Sequence, residues 1–96
     1  MKRNRRPTSP GEILSAHYLA PRNLTVSALA RHMGISRKHV SDIVNERVRV
    51  TPGMAVRLAF ALGTSAALWI NLQAAVDLYD AELEFSRRSK TRRAVA

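Results

Sequence analysis

The chain has 96 residues, a formal net charge of +9 and no cysteine. That is room for one small domain with ends, and it excludes disulfides and thiolate metal sites. No apolar run reaches the ~18 residues a membrane span needs, and the basic start lacks the apolar stretch of a secretory signal, so a soluble cytoplasmic protein is expected.

Residues 1–8 are polar and carry Lys2, Arg3, Arg5 and Arg6, which reads as a flexible basic tail. Ser9-Pro10-Gly11-Glu12 is a helix start. Ser9 caps, Pro10 takes the first helical position and Glu12 closes a capping box. Ile13, Leu14 and Tyr18 then face a core, and Pro21 is expected to end this helix.

Thr25–Asn45, TVSALARHMGISRKHVSDIVN, is the most telling stretch. Thr25 and Ser36 each open a periodic segment as N-caps. Val26, Leu29, Ala30 and Met33 share one side of the first helix, and Val40, Ile43 and Val44 share one side of the second. Gly34 supplies the bend, where a positive φ costs glycine nothing. Ala30 is small enough for a close approach. This is the pattern of a helix-turn-helix, which lays its second helix in the major groove of DNA. A plain helical hairpin needs neither this turn nor a capped, basic second helix.

Glu46–Val50 reads as an extended link with valines inward and arginines outward. Thr51-Pro52 starts a fourth helix by the same cap-then-proline logic. Gly53 to Leu62 is apolar nearly all round except Arg57, so it is expected at the buried centre, with Gly63 as its stop. Thr64 or Ser65 caps a last helix to about Phe85. Leu68, Trp69, Leu72, Ala75, Val76, Tyr79 and Leu83 form one stripe on it, and Ile70, Leu78 and Phe85 a second apolar patch. Two apolar faces on one helix suggest a homodimer, with Leu68, Trp69, Leu72, Val76 and Tyr79 as packing or dimer residues. Residues 87–96 carry Arg87, Arg88, Lys90, Arg92 and Arg93 and read as a second flexible basic tail. The expected architecture is all-α: five helices over residues 9–86, with no metal site, no cofactor and no transmembrane segment.

Charge is polarised inside the body. Residues 31–57 hold six bases against two acids, whereas residues 58–86 hold four acids and no Lys or Arg. One side suits a polyanion, the other a basic partner. At ~100° per residue, Lys38, Ser41, Asp42 and Asn45 lie opposite the apolar side of the second motif helix. Arg37 and Lys38 are candidate donors to guanine O6 and N7, Ser41 suits several base edges, and Asp42 either accepts from a cytosine amino group or restrains the bases beside it. Thr25, Ser27, Arg31, Ser36, Asn45, Arg47 and Arg49 are candidate phosphate contacts, Asn45 alternatively a cap for the turn. His17, His32 and His39 fall on three helices with no metal-ligand spacing. No nucleophile–base pair and no phosphate cradle appears, so the chain reads as a binder and not an enzyme.

Beyond the motif, PGEIL at Pro10–Leu14, ISRKHVSDIVN at Ile35–Asn45, TPGMAVRLAFALGTS at Thr51–Ser65 and W-I-NLQAAVDLY at Trp69–Tyr79 resemble the HigA-type antitoxins, part of the phage-repressor-like helix-turn-helix proteins. The resemblance covers roughly residues 9–82. It implies a five-helix lambda-repressor-like domain that dimerises, often through its C-terminal helix. It implies a repressor of its own promoter that also binds and neutralises a small basic mRNA-cleaving toxin. By the motif, Ser36–Asn45 becomes the recognition helix.

Two positions depart from that pattern. Val26-Ser27 stands where many relatives have a DNA-supporting glutamine, and Asn45-Glu46 stands where they often have Asn-Gly. Independently, Asp77, Asp80 and Glu84 share a stripe that offers an acidic surface to a basic toxin, or simply a solvated face. The alternative functions are a stand-alone regulator with no toxin, and an RNA-binding or RNA-cleaving protein, which the basic tails and three histidines allow. The latter wants exposed aromatics, whereas Tyr18, Phe60, Trp69, Tyr79 and Phe85 sit mostly at core-like positions.

Overall fold

The computed structural model describes residues 5–92, with backbone alone for residues 89–92. It is all-helical, with five helices and no strand among the described residues. Helix α1 covers residues 10–22. It opens as a regular turn at Pro10–Ile13, widens to a π-helical stretch at Leu14–Leu19 and closes at Ala20–Arg22. The capping box is complete: Glu12 N–H donates to Ser9 Oγ at 3.2 Å, and Ser9 N–H to Glu12 Oε1 at 3.0 Å. Pro21 does not end the helix but sits inside its last turn. A proline ring meets the carbonyl four residues back in a regular helix, and the wider turn before it eases that contact.

Helix α2 is Val26–Met33, α3 is Arg37–Val44, α4 is Pro52–Leu62 and α5 is Ala66–Arg92. Thr25, Ser36 and Thr51 cap as expected, each accepting from the N–H three residues on. Ser65 caps α5 by accepting from Leu68 N–H. Thr64 instead anchors the tryptophan, its Oγ1 accepting from Trp69 Nε1 at 2.7 Å.

The exits of α1 to α4 share one solution. Asn23, Gly34, Glu46 and Gly63 all take a positive φ. At the α2–α3 turn Gly34 N–H donates to Arg31 O and Ile35 N–H to Ala30 O, the paired bonds that close a helix through a left-handed residue. The same pair recurs after α3, from Glu46 N–H to Ile43 O and Arg47 N–H to Asp42 O. Arginines finish two of these ends. Arg57 Nη1 donates to Met33 O at 2.7 Å, and Arg22 Nη2 to Leu62 O at 3.3 Å while lying over the Tyr18 ring. Cations suit the negative end of a helix.

The core gathers Leu14, Leu29, Val40, Ile43, Ala55, Leu58 and Trp69, all essentially inaccessible. Trp69 and Tyr18 meet with ring centroids 5.6 Å apart. Three expectations change. First, α4 is not buried all round: Val56 and Phe60 point outward, Phe60 at 86% exposure. Their i, i+4 spacing puts them on the side opposite Ala55, Leu58 and Leu62. Second, Trp69 and Val76 serve this chain's own core, while Leu68, Leu72 and Tyr79 are half-buried. The apolar surface left on α5 is Leu78, Leu83 and Phe85. Third, α5 continues to Arg92 and not to about Phe85, so residues 87–92 are helical. The rest of that expected tail, 93–96, and residues 1–4 of the other lie outside the described residues. No described helix is long and apolar enough to cross a membrane.

Candidate nucleic-acid interface

Helix α3 is held from behind and open in front. Val40 and Ile43 are buried, and the capped first turn presents Arg37 and Lys38 to solvent. A shallow groove of about 570 Å³ is lined by Val26 at the start of α2, by Arg37, Lys38, Ser41 and Asp42 of α3, and by Arg47 beyond it. The four candidate base-reading residues therefore line one surface.

They are not equivalent. Lys38 is 83% exposed at its side chain and Asp42 only 12%. Lys38 Nζ donates to Asp42 Oδ2 at 2.9 Å, and Arg47 Nη1 lies 3.5 Å from Oδ1. The Lys38 hydrogen bond, with Arg47 behind it, holds the Asp42 carboxyl below its ordinary range. Asp42 is thus a bracket between two cations and not a free acceptor pointing at a base. Helical projection alone placed it outward. Its burial arises because the start of α2 covers that flank.

The phosphate candidates divide in the same way. Thr25, Ser27, Arg31, Ser36 and Arg47 are exposed or half-buried. Asn45 is a cap: its Nδ2 donates to Ser41 O at 2.9 Å and reaches Ser41 Oγ at 3.3 Å. Arg49 is exposed with its Nη2 bonded to Asp77, and each holds the other in its charged form.

The segment leaving α3 is bound to α5 by groups that the sequence did not single out. Val50 N–H donates to Gln73 Oε1 at 2.9 Å, and Gln73 Nε2 donates to Asp77 Oδ1 at 3.0 Å. Gln73 is buried, although it lies one turn before Asp77 of the acidic stripe. A polar residue inside an otherwise apolar packing face was the available signal. Arg6 also joins this region, with Nη1 2.8 Å from Glu46 Oε1 and Nε 3.0 Å from Asp80 Oδ1. Residue 6 is therefore engaged with the body and not part of a free tail.

The acidic stripe is satisfied from within. Asp77 is paired with Arg49, Asp80 with Arg6 and Glu84 with Arg88. Among the described residues no cluster of His, Asp or Glu could hold a metal ion. Phe60 is exposed, against expectation, and Phe85 is exposed as part of the second apolar patch; they lie on α4 and α5 and not in the α3 groove.

A capped two-helix unit with a basic outer helix and a glycine turn defines a helix-turn-helix protein. The helix-turn-helix family model matches residues 17–69. Antitoxin HigA-1 of Vibrio cholerae is 42% identical over 89 residues, 93% of this chain and 84% of its own length. Among solved structures, the Pseudomonas aeruginosa antitoxin HigA with the higBA promoter superposes with a TM-score of 0.81 at 37% identity, covering 86% of this chain and 90% of that one. Antitoxin GraA in complex with its operator gives 0.81 at 38% identity, covering 92% and 89%. The chain belongs to the helix-turn-helix family and, within it, to the HigA-type antitoxins. Proteins of this kind bind DNA and are not enzymes.

Proposed function

We propose that this chain is a cytoplasmic antitoxin of a two-component toxin–antitoxin pair. It binds an operator in its own promoter as a homodimer, represses that promoter, and binds and neutralises a small basic mRNA-cleaving toxin. One observation carries the DNA-binding part: Arg37, Lys38 and Ser41 share an open groove with Arg47 on a helix whose other side is locked into the core. In this reading Arg37 and Lys38 donate to guanine O6 and N7, and Ser41 meets a neighbouring base edge. Thr25, Ser27, Arg31, Ser36 and Arg47 meet phosphates on either side. The structures of HigA with promoter DNA and GraA with its operator support it. The homodimer draws support from apolar surface left outside the core, at Leu78 and Phe85 of α5 and at Val56 and Phe60 of α4.

A gel-shift comparison of the upstream region with random duplex tests the first part. A strong preference for the upstream DNA, with two half-sites protected about one helical turn or a multiple apart, is expected. Equal affinity for both duplexes overturns it. A search for a short basic reading frame beside this one, and co-expression with it, tests the second part through pull-down and growth rescue; absence of such a frame, or no binding and no rescue, overturns it. A stand-alone regulator without a toxin is the second reading. It is favoured by one observation: Asp77, Asp80 and Glu84, the acids best placed to attract a basic toxin, are already neutralised by this chain's own arginines.

A further inference from the structure

Glu46 is an unusual residue for its place. It closes α3 at φ 59°, a left-handed position where glycine is at ease and an acid is not. It also adjoins Arg47, which lines the groove. A bare carboxylate here, next to Arg47, would oppose any phosphate that Arg47 met. Of its cationic neighbours in sequence, Arg49 pairs with Asp77, and Arg47 faces the groove with Asp42 3.5 Å away. Arg6, 40 residues away, is the cation that meets it.

All three nitrogens of the Arg6 guanidinium take part. Nη1 donates to Glu46 Oε1 at 2.8 Å, and Nε and Nη2 donate to the two oxygens of Asp80 at 3.0 and 3.1 Å. This two-pronged geometry is the kind that makes an exposed arginine pair more than incidental. The Arg6 hydrogen bond is the leading reason why the Glu46 carboxyl sits below its ordinary range. Three of its five N–H groups are held by these two carboxylates, so its charge is directed at the protein's own acids.

We propose that Arg6 is a charge-masking and positioning residue of the DNA-facing surface. It cancels the acid at the exit of α3 and, through Asp80, straps that exit to α5. The inference rests on the reading of this chain as a duplex-DNA binder. It makes the N-terminal arm part of the binding machinery without a direct DNA contact.

A double-mutant cycle on the full-length protein tests it. Affinity is measured for the upstream duplex and for a random duplex, across a salt series, with Arg6→Gln, Glu46→Gln and the double variant. Glu46→Gly is added as a variant that also frees the backbone. Arg6→Gln should weaken binding to both duplexes alike, roughly fivefold, by exposing one negative charge to nearby phosphates. Glu46→Gln and Glu46→Gly should bind at least as tightly as the parent. The double variant should return to about the affinity of the parent, because the cluster then carries one net negative charge in both, although its strap to Asp80 is still broken, which separates charge masking from a merely structural role. A double variant as weak as Arg6→Gln, with a salt slope shallower by about one, would mean that Arg6 touches phosphate itself, and overturns the proposal. So does parental affinity in Arg6→Gln. If the parent fails to prefer the upstream duplex, the operator reading falls, but the cycle is still decided on random DNA.

Discussion

Gly11→Ala sets two physical effects against each other at the back of the recognition helix. Alanine is the better helix former, worth about 0.8–1 kcal/mol over glycine in a helix interior and less in a first turn. Yet a Cβ at this position would lie 2.4 Å from Ile43 O and 2.6 Å from Val44 O. A carbon and a carbonyl oxygen meet comfortably at ~3.3 Å or more, so α1 and the end of α3 must separate by roughly 0.8 Å. Both obstacles are backbone atoms of a helix whose side chains Val40 and Ile43 are buried, and they cannot swing aside as a side chain tip would. Overpacking of this kind costs about 1–3 kcal/mol, and rigid obstacles put it at the upper end. Sterics should win by roughly 1–2 kcal/mol, lowering the melting temperature by about 4–8 °C for each kcal/mol in a domain of this size. The assay is far-ultraviolet circular dichroism under heat and urea, with operator affinity in parallel, since the displaced segment leads directly into Arg47. An unchanged or raised melting temperature would mean that the close approach of α1 to α3 is wrong.

Three other substitutions or titrations follow from the same geometry. Lys38→Ala should cost about 1–3 kcal/mol on the operator and relax base preference; equal loss on random DNA would reduce it to a phosphate contact. Gln73→Leu keeps the volume but strips the buried Val50 N–H of its acceptor, and should destabilise by about 1–3 kcal/mol; a melt equal to the parent's would show the bond to be dispensable. Acid should destabilise the fold in a defined window. Asp42, Glu46 and Asp77 are held below the ordinary carboxylate range by Lys38, Arg6 and Arg49 respectively. Their contribution is therefore complete above about pH 5, where the unfolded chain's carboxylates are also ionised, and is lost as the pH falls through the lower native values. Melts across that range should show the decline, and Asp42→Asn with Asp77→Asn should flatten it; an acid profile identical in parent and double variant would contradict the pairing.

Most of what was legible in the sequence is local. Each N-cap, the Gly34 turn and the apolar sides of α2 and α3 depend on residues within one or two helical turns, so spacing alone finds them. The groove-facing side of α3 follows from that periodicity, which is why Arg37, Lys38 and Ser41 line it as expected. Asp42 follows the second of its two readings, restraint of the bases beside it; only its burial escaped the same logic, because burial is tertiary. It lies within the polar arc of α3, but Lys38, Arg47 and the start of α2 close over it. Phe60 escaped for the converse reason: a segment apolar on all sides reads as central, and only the actual placement of its neighbours reveals which side α5 and α2 leave uncovered.

The illegible part has a common cause and a common location. Arg6–Glu46–Asp80, Arg49–Asp77 and Val50–Gln73 each join residues more than twenty positions apart, and each ties the segment leaving α3 to α5 or to the N-terminal arm. Composition showed opposite charge on the two halves of the body, and the natural inference was two separate outside partners. The structure satisfies part of that opposition internally. Arg49 and Asp77, assigned by sequence to a phosphate and to a protein partner, bind each other. The consequence is mechanical. The recognition helix is braced behind by its apolar side, at its start by Ser36, and at its exit by ion pairs and a buried hydrogen bond to the longest helix of the fold. A ligand that moved α5 would therefore act on the exit of α3 through these ties, so α5 and the DNA-reading surface are connected by chemistry that neither periodicity nor motif could register.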